Sequence, residues 1–183
     1  MKTIELSAQK PTSKNYKKYS VIVDDADYEE LSKYIWTYHK EHKSEYAVTR
    51  IRDESGKYRM KKMHRIIMCI DDRHTLIDHI DRNGLNNQRS NLRLANYSTN
   101  QANRKRLDNK KSKYKGVYFE KSTKKWKSGV MKDGKNFHLG YFKTQEAAAT
   151  AYNIKAKELF GEFAYMNIIP DMLPKLNLPD SLF

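Results

Sequence analysis

The run Leu76-Ile77-Asp78-His79-Ile80-Asp81, the polar loop Arg82-Asn83-Gly84-Leu85-Asn86-Asn87-Gln88-Arg89-Ser90 and the return Asn91-Leu92-Arg93-Leu94-Ala95 decide how this chain is read. The two flanking runs read as strands, and Asn83-Gly84 between them is a strong turn signal. Ser98 stands ready to cap a helix that begins Thr99-Asn100-Gln101. The order is therefore strand, long loop, strand, helix. Asp78 and His79 are neighbours on the first strand, so their side chains leave it in opposite directions. A strand end or bend is needed to bring both to one small site. Asn91 opens the second strand, and Asn100 lies on the helix that can pack across the hairpin.

These residue types suit phosphodiester hydrolysis. A divalent ion can neutralise charge on the phosphate and on the leaving 3′ oxygen. Asp and Asn supply hard oxygen ligands suited to magnesium or manganese. A neutral imidazole can take a proton from the attacking water, and basic surroundings keep it neutral. Against this stand plainer readings: Asp78 and His79 as a strand-end pair making turn hydrogen bonds, Asn91 as a turn residue, and Asn100 as a helix-surface amide. His64 reads as structural, and His39, His42 and His74 as exposed.

Met63-His64-Arg65-Ile66-Ile67, Asp78-His79-Ile80-Asp81, Asn83-Gly84, Asn86-Asn87, Asn91-Leu92-Arg93 and Asn100-Gln101-Ala102-Asn103 together resemble the HNH endonucleases, with phage and group I intron homing nucleases as the nearest subgroup. The resemblance covers roughly residues 63–104. It implies a ββα-metal fold (the HNH or His-Me finger), His79 as general base, Asp78 and Asn100 as metal ligands, and Asn91 as the residue that braces the loop and orients His79. The last position is Asn where many HNH enzymes carry His, which favours magnesium over zinc or nickel. Asp81 is a supporting residue, and Asn83 and Asn86 are explained by loop geometry.

Upstream, residues 1–18 are polar and Lys-rich and read as a mobile arm. Tyr19-Ser20-Val21-Ile22-Val23 reads as a strand, and Asp24-Asp25 can cap a helix presenting Tyr28, Leu31 and Ile35 on one face. Tyr46 to Ile51 and Tyr58 to Met60 read as a hairpin around Glu54-Ser55-Gly56-Lys57. This makes residues 1–62 an α+β region, either a DNA clamp or a scaffold. His64 to Ile70 reads as a short buried helix, with Cys69 as a core residue.

Downstream, 105–111 reads as a basic linker. Three strands follow: Gly116 to Phe119, Lys125 to Met131, and Asn136 to Phe142. Lys132-Asp133-Gly134-Lys135 turns between the last two. Thr144 caps an Ala-rich helix that Gly161 ends. Tyr114-Lys115-Gly116-Val117-Tyr118, Lys125-Trp126, Leu139-Gly140-Tyr141-Phe142 and Glu146-Ala147-Ala148-Ala149-Thr150-Ala151-Tyr152 resemble the Apetala/ethylene-response-factor (ERF) DNA-binding domain, over roughly residues 112–167. The resemblance implies a three-stranded antiparallel sheet backed by one helix, with the sheet entering the major groove. Trp126, Val130, Leu139 and the helix alanines can form its core. The DNA-facing candidates are then Lys115, Tyr118, Lys127, Met131, Asn136 and His138. Tyr118, Met131 and Asn136 stand where the plant family has guanine-reading arginines, so the plant recognition sequence does not carry over. A tail, 168–183, holds three of the four prolines.

The whole chain of 183 residues carries a net charge of +14, a sequence pI near 9.7, and only 38% apolar residues. The cores are therefore small and aromatic-rich, and the partner is a polyanion. With one cysteine there is neither an intramolecular disulfide nor a Cys-based zinc cluster. There is no apolar leader or bilayer-length span, which points to the cytoplasm, that of a host cell if the gene is phage-borne. The expected class is α+β, the expected partner double-stranded DNA, the expected cofactor Mg2+ (or Mn2+). One chain offers one active site, so the sequence leaves monomer and homodimer, nicking and double-strand cleavage, open. The competing function class is a non-catalytic DNA-binding regulator with a vestigial HNH module; retention of Asp78, His79, Asn91 and Asn100 argues against it. An RNA-directed role lacks the aromatic ribonucleoprotein strand signature.

Overall fold

A computed structural model describes residues 1–7, 19–42, 44–72, 74–105 and 112–170. The class is mixed α+β, with four α-helices and several small antiparallel sheets among the described residues. The chain divides into two compact units, Met1–Asn100 and a second that starts at Gln101.

In the first unit β1 (Lys2–Leu6) pairs antiparallel with β2 (Tyr19–Val23). The expected arm is thus a strand over its first residues: Ile4 and Leu6 face inward, and Leu6 is buried. The rest of that expected arm, residues 8–18, lies outside the described residues. Helix α1 (Asp25–Leu31) follows. It ends before Ile35, which is 80% exposed, and Trp36 takes the core position instead, its Nε1 donating to the Leu31 carbonyl at 2.8 Å. The run Ile35-Trp36 misleads a helical reading because both residues are apolar and only one is needed inside.

A three-stranded sheet, β3 (Thr37–Glu41), β4 (Ser44–Arg52) and β5 (Tyr58–Lys62), leads into α2 (Met63–Ile67). Cys69 is exposed, with φ 54° just beyond α2. This corrects its expected core position: the residue that reverses the chain after a helix must leave the buried face. Then come β6 (Leu76–His79), a 3₁₀ turn at Arg89–Asn91, β7 (Leu92–Ala95) and α3 (Tyr97–Asn103). Asn96 rather than Ser98 caps α3. Its Oδ1 accepts from Thr99 N–H at 2.8 Å, and Thr99 Oγ1 accepts from Asn96 N–H at 3.0 Å, a reciprocal box. One apolar core joins β1, β2, α1, Trp36, Ala47 and α2 to Leu85 and Leu92 of the hairpin region. The N-terminal elements and the strand–loop–strand unit therefore bury their apolar faces against each other.

In the second unit β8 (Val117–Glu120), β9 (Lys125–Lys132) and β10 (Lys135–Phe142) form an antiparallel sheet in the order β10-β9-β8. The β9–β10 turn has positive φ at Asp133 (49°) and Gly134 (76°), the conformation a two-residue hairpin requires. Helix α4 (Gln145–Phe160) packs on the sheet; Thr144 Oγ1 caps it by accepting from Ala147 N–H at 3.1 Å. The core falls into two clusters rather than one. Val130, Tyr152, Ala156 and Phe160 gather with Leu139, while Tyr114, Val117, Ala148, Ala149 and Ile169 gather with Trp126 and Phe142. Alanine at 148, 149 and 156 lets the helix backbone lie close to the sheet. The segment after α4 is tied down by paired amides: Asn167 N–H donates to Asn153 Oδ1 at 2.8 Å, and Asn167 Oδ1 accepts from Lys115 N–H at 2.7 Å.

Gly116 is where this unit is least tolerant. Its φ is 72°, and an added Cβ would stand 2.0 Å from Tyr152 Cδ2 and 2.7 Å from the Gly129 carbonyl oxygen. Left-handed strain and overpacking of a buried ring act together. Gly116→Ala is expected to cost about 3 kcal/mol, read as a lowered denaturation midpoint of the second unit in urea.

Candidate functional site

Cross-strand register sets the first half of the site. In the β6–β7 pair Asp78 faces Arg93 and His79 faces Leu92. Asp78 is buried and Arg93 partly buried, and they form an ion pair: Arg93 Nε and Nη2 donate to Asp78 Oδ2 at 3.0 and 2.8 Å. His79 is the last residue of β6 and sits on the other face with Leu92, a core residue. The alternation read from the sequence therefore holds in the structure, and the strand ends right at His79.

The imidazole of His79 is walled by rings. His64 stands edge-on with a centroid separation of 5.0 Å, and Tyr46 lies tilted at 6.2 Å. His79 Nε2 lies 3.4 Å from Asn87 Oδ1. Burial pushes the His79 pKa below the ordinary imidazole value, and the Asn87 contact and the carboxylates of Asp81 and Asp78 only partly offset it. His64, more deeply desolvated and facing His79, Lys62 and Arg65, is pushed down to about 3. Both rings are thus neutral at pH 7.

The loop is held by amides. Asn91 is buried; its Nδ2 donates to Asp81 Oδ1 at 2.9 Å and to the Asn86 carbonyl at 2.8 Å, and its Oδ1 accepts from Asp81 N–H at 3.0 Å. Its backbone carbonyl accepts from Ile80 N–H at 2.9 Å, directly after His79. Asp81 also accepts from Asn83 N–H and Asn86 Nδ2, both at 2.8 Å. Burial opposes ionisation of Asp81, but these amide donors outweigh it and hold its carboxyl below the usual range. Asn100 lies in α3, half-buried, with its backbone N–H donated to the Asn96 carbonyl at 2.9 Å.

Three features of the site were not foreseen. Asn87, fully buried, makes the contact to His79, and its backbone N–H is anchored on the Ile22 carbonyl of β2 at 2.8 Å. Asp24 accepts from Gln88 Nε2 and Arg89 N–H at 3.2 and 2.8 Å, and Asp27 takes Arg89 Nε and Nη2 at 2.9 and 2.8 Å. Gly84 does not have positive φ; it is a point of close approach, where an added Cβ would meet the Glu45 carbonyl oxygen at 2.1 Å. Through these contacts residues of the N-terminal region hold the loop in place.

In the second unit Tyr118, Lys127, Met131, Asn136 and His138 lie on one face of the sheet, opposite the face that carries Val117, Ser128 and Val130. Tyr141 joins them. Lys115 has a different occupation. Its Nζ donates to the carbonyls of Gln101, Ala102 and Arg104 at 3.1, 2.6 and 2.8 Å, satisfying the end of α3, where a cation also suits the helix dipole.

Among the described residues no group of three or more His, Cys, Asp or Glu side chains gathers to hold a metal. An ion near Asp78 would draw on hard oxygen donors, that carboxylate and the phosphate itself. That donor set suits magnesium or manganese.

Comparison with known proteins fits this picture in part. Over 93 residues, 51% of the chain, it is 44% identical to an uncharacterized HNH endonuclease of Acanthamoeba polyphaga mimivirus, and it spans about half that relative's length (47%). Over 60 residues, a third of the chain, it is 40% identical to an AP2-like ethylene-responsive transcription factor of Arabidopsis thaliana, of which it spans 12%. Over 88 residues it is 36% identical to Protein 3.8 of Escherichia phage T7, covering 72% of that protein. The chain belongs to the family of Protein 3.8. No protein-family model and no solved structure matches it. No helix among the described residues is long and apolar enough to cross a membrane.

Proposed function

We propose that this protein is a metal-dependent HNH-type DNA endonuclease, of the homing kind, whose second unit binds double-stranded DNA. The observation that carries the reading is His79: a buried, neutral imidazole at the end of a strand, beside Asp78, on a hairpin whose loop is locked by Asn91 and followed by the helix bearing Asn100. In this reading β6, β7 and α3 are the ββα-metal module. Likeness to the mimivirus HNH endonuclease supports it.

His79 acts as general base on the attacking water. Asn87 and the ring walls of His64 and Tyr46 hold it in one orientation, which a proton acceptor needs before the substrate arrives. Asn91 keeps the loop folded behind it. Asp78 and Asn100 would hold the ion, with Arg93 fixing the Asp78 carboxylate by its Oδ2. The ion would supply charge neutralisation at the phosphate and the leaving oxygen. The second unit, with eleven lysines against five carboxylates between residues 112 and 170, would hold phosphates.

The alternative, a DNA-binding regulator without activity, draws on the Arg93 bond to Asp78, which already neutralises that carboxylate. One assay separates the two. Supercoiled plasmid is expected to be nicked or linearised in magnesium, with manganese substituting, and to stay intact in EDTA while still being shifted on a gel. Intact plasmid in both metals with an unchanged shift would favour the regulator.

A further inference from the structure

The second unit's outward sheet face has a composition that bears on base preference. Its cross-strand rows are fixed by register: Tyr118 and Tyr141 flank Lys127, His138 faces Gly129, and Asn136 faces Met131. Met131 is 69% exposed, and Tyr118 and Tyr141 are each nearly half exposed. Gly129 leaves the middle of the face open, and Asn136 leans over it: its Oδ1 lies 3.4 Å from where a Gly129 Cβ would stand. The His138 ring meets Tyr141 edge-on at 5.0 Å. Apolar side chains clustered in the open, on a unit otherwise ringed by lysine, mark a contact surface, and the positive excess points to a polyanion as its occupant.

The major groove offers each base pair a distinct edge. Guanine is matched by the two-donor fork of arginine or by lysine, adenine by the paired donor and acceptor of Asn or Gln, and the thymine methyl by apolar contact. Every arginine of this sequence lies at or before position 106, so residues 112–170 contain none. Lysine reaches the face at Lys127, between the two tyrosines, and at Lys125, directly across from Glu120. Glu120, the one carboxylate on the face, is turned to its own loop by accepting from Ser122 N–H and Oγ at 3.5 and 3.2 Å. What remains for reading is the Asn136 amide, three apolar or aromatic groups (Met131, Tyr118 and Tyr141) and the His138 ring, which packs edge-on against Tyr141.

Resting on the reading of this unit as a duplex-DNA binder, we infer that its sheet face selects A·T base pairs in the major groove, with Asn136 on adenine and Met131, Tyr118 and Tyr141 on thymine methyl groups. Lys127 and the surrounding lysines hold phosphates and carry affinity without sequence preference.

The test uses the full chain in EDTA, so that nothing is cut, and fluorescence anisotropy on duplexes of equal length with identical flanks. One centre is alternating A·T, one is G·C, and one is A·T with uracil for thymine, which removes only the 5-methyl group. The A·T duplex is expected to bind at least about tenfold more tightly than the G·C duplex, and the uracil duplex several-fold less tightly than its parent. Asn136→Ala with Met131→Ala, both at exposed positions, should cut the A·T preference several-fold and leave only the part carried by Tyr118 and Tyr141, while Lys127→Ala should weaken both duplexes equally. Equal binding of A·T and G·C by the wild-type protein, no effect of uracil, or a preference undiminished by the double substitution would overturn the inference and leave DNA binding standing. Failure to bind any duplex would overturn both.

Discussion

His79→Ala is expected to lose cleavage by about a thousandfold in magnesium while still shifting DNA on a gel in EDTA. The imidazole is a neutral proton acceptor at pH 7, whereas its ring neighbour His64 is pushed down to about 3 and is much the weaker base. Burial keeps His79 neutral, and Asn87 and two ring neighbours hold its plane. Alanine removes the acceptor and leaves the Asp78–Arg93 pair and the whole second unit untouched. The same burial fixes the sign of the pH dependence. A base must be unprotonated, and its pKa is depressed, so the acid limb of the cleavage rate should fall below the ordinary imidazole value of about 6.5 and the rate should be flat through neutrality. The limb should vanish from any residual activity of His79→Ala. Undiminished cleavage by that variant, or a rate still climbing steadily through pH 7 in the wild type, would remove His79 from the role of base.

The strand–loop–strand–helix order was readable because each element carries a local signal: a short apolar run at Leu76-Ile77, a dense polar loop, the return Leu92 to Ala95, and capping residues at the start of α3, although Asn96 rather than Ser98 fills that role. The second unit was readable for the same reason. Asp133-Gly134 supplies the left-handed turn, Thr144 the N-cap and Gly161 the stop. What the sequence hid is what depends on partners far along the chain. Lys2 to Leu6 is too polar to announce a strand, and becomes one because β2 offers an edge. Asp24 and Asp27 look like an ordinary acidic helix start; that they hold Gln88 and Arg89 follows only from the fold. Asn87 looks like any loop amide until burial makes its bonds obligatory. Lys115 shows the reverse. Its motif position suggests a DNA contact, but the last carbonyls of α3 and the Arg104 carbonyl just beyond lie within its reach and take its three donors.

Gly84→Ala is the substitution most damaging to the site without touching a residue that does chemistry. Asn-Gly suggests that glycine is there for a left-handed turn, but Gly84 has no positive φ; it is there because the loop passes against the backbone of β4. A methyl group would stand 2.1 Å from the Glu45 carbonyl oxygen and 2.9 Å from Tyr46 Cδ1. A carbonyl cannot swing aside as a flexible side-chain end can, so the loop or β4 must shift. Both supports of His79 lie along that shift. The Gly84 carbonyl accepts from Asn87 Nδ2 at 3.2 Å, and the Tyr46 ring leans on His64 and His79. The expected cost is about 3 kcal/mol in urea unfolding of the first unit, together with about a hundredfold loss of cleavage at temperatures where the protein is still folded, since small displacements of catalytic groups act steeply on rate. Gly134→Ala is the control. There an added Cβ meets nothing within 4 Å, so the change costs left-handed strain alone, about 1 kcal/mol, and cleavage should be unaffected. If Gly84→Ala is as active and as stable as Gly134→Ala, the loop does not lie against β4 as described, and the positioning of His79 by Asn87 and Tyr46 falls with it.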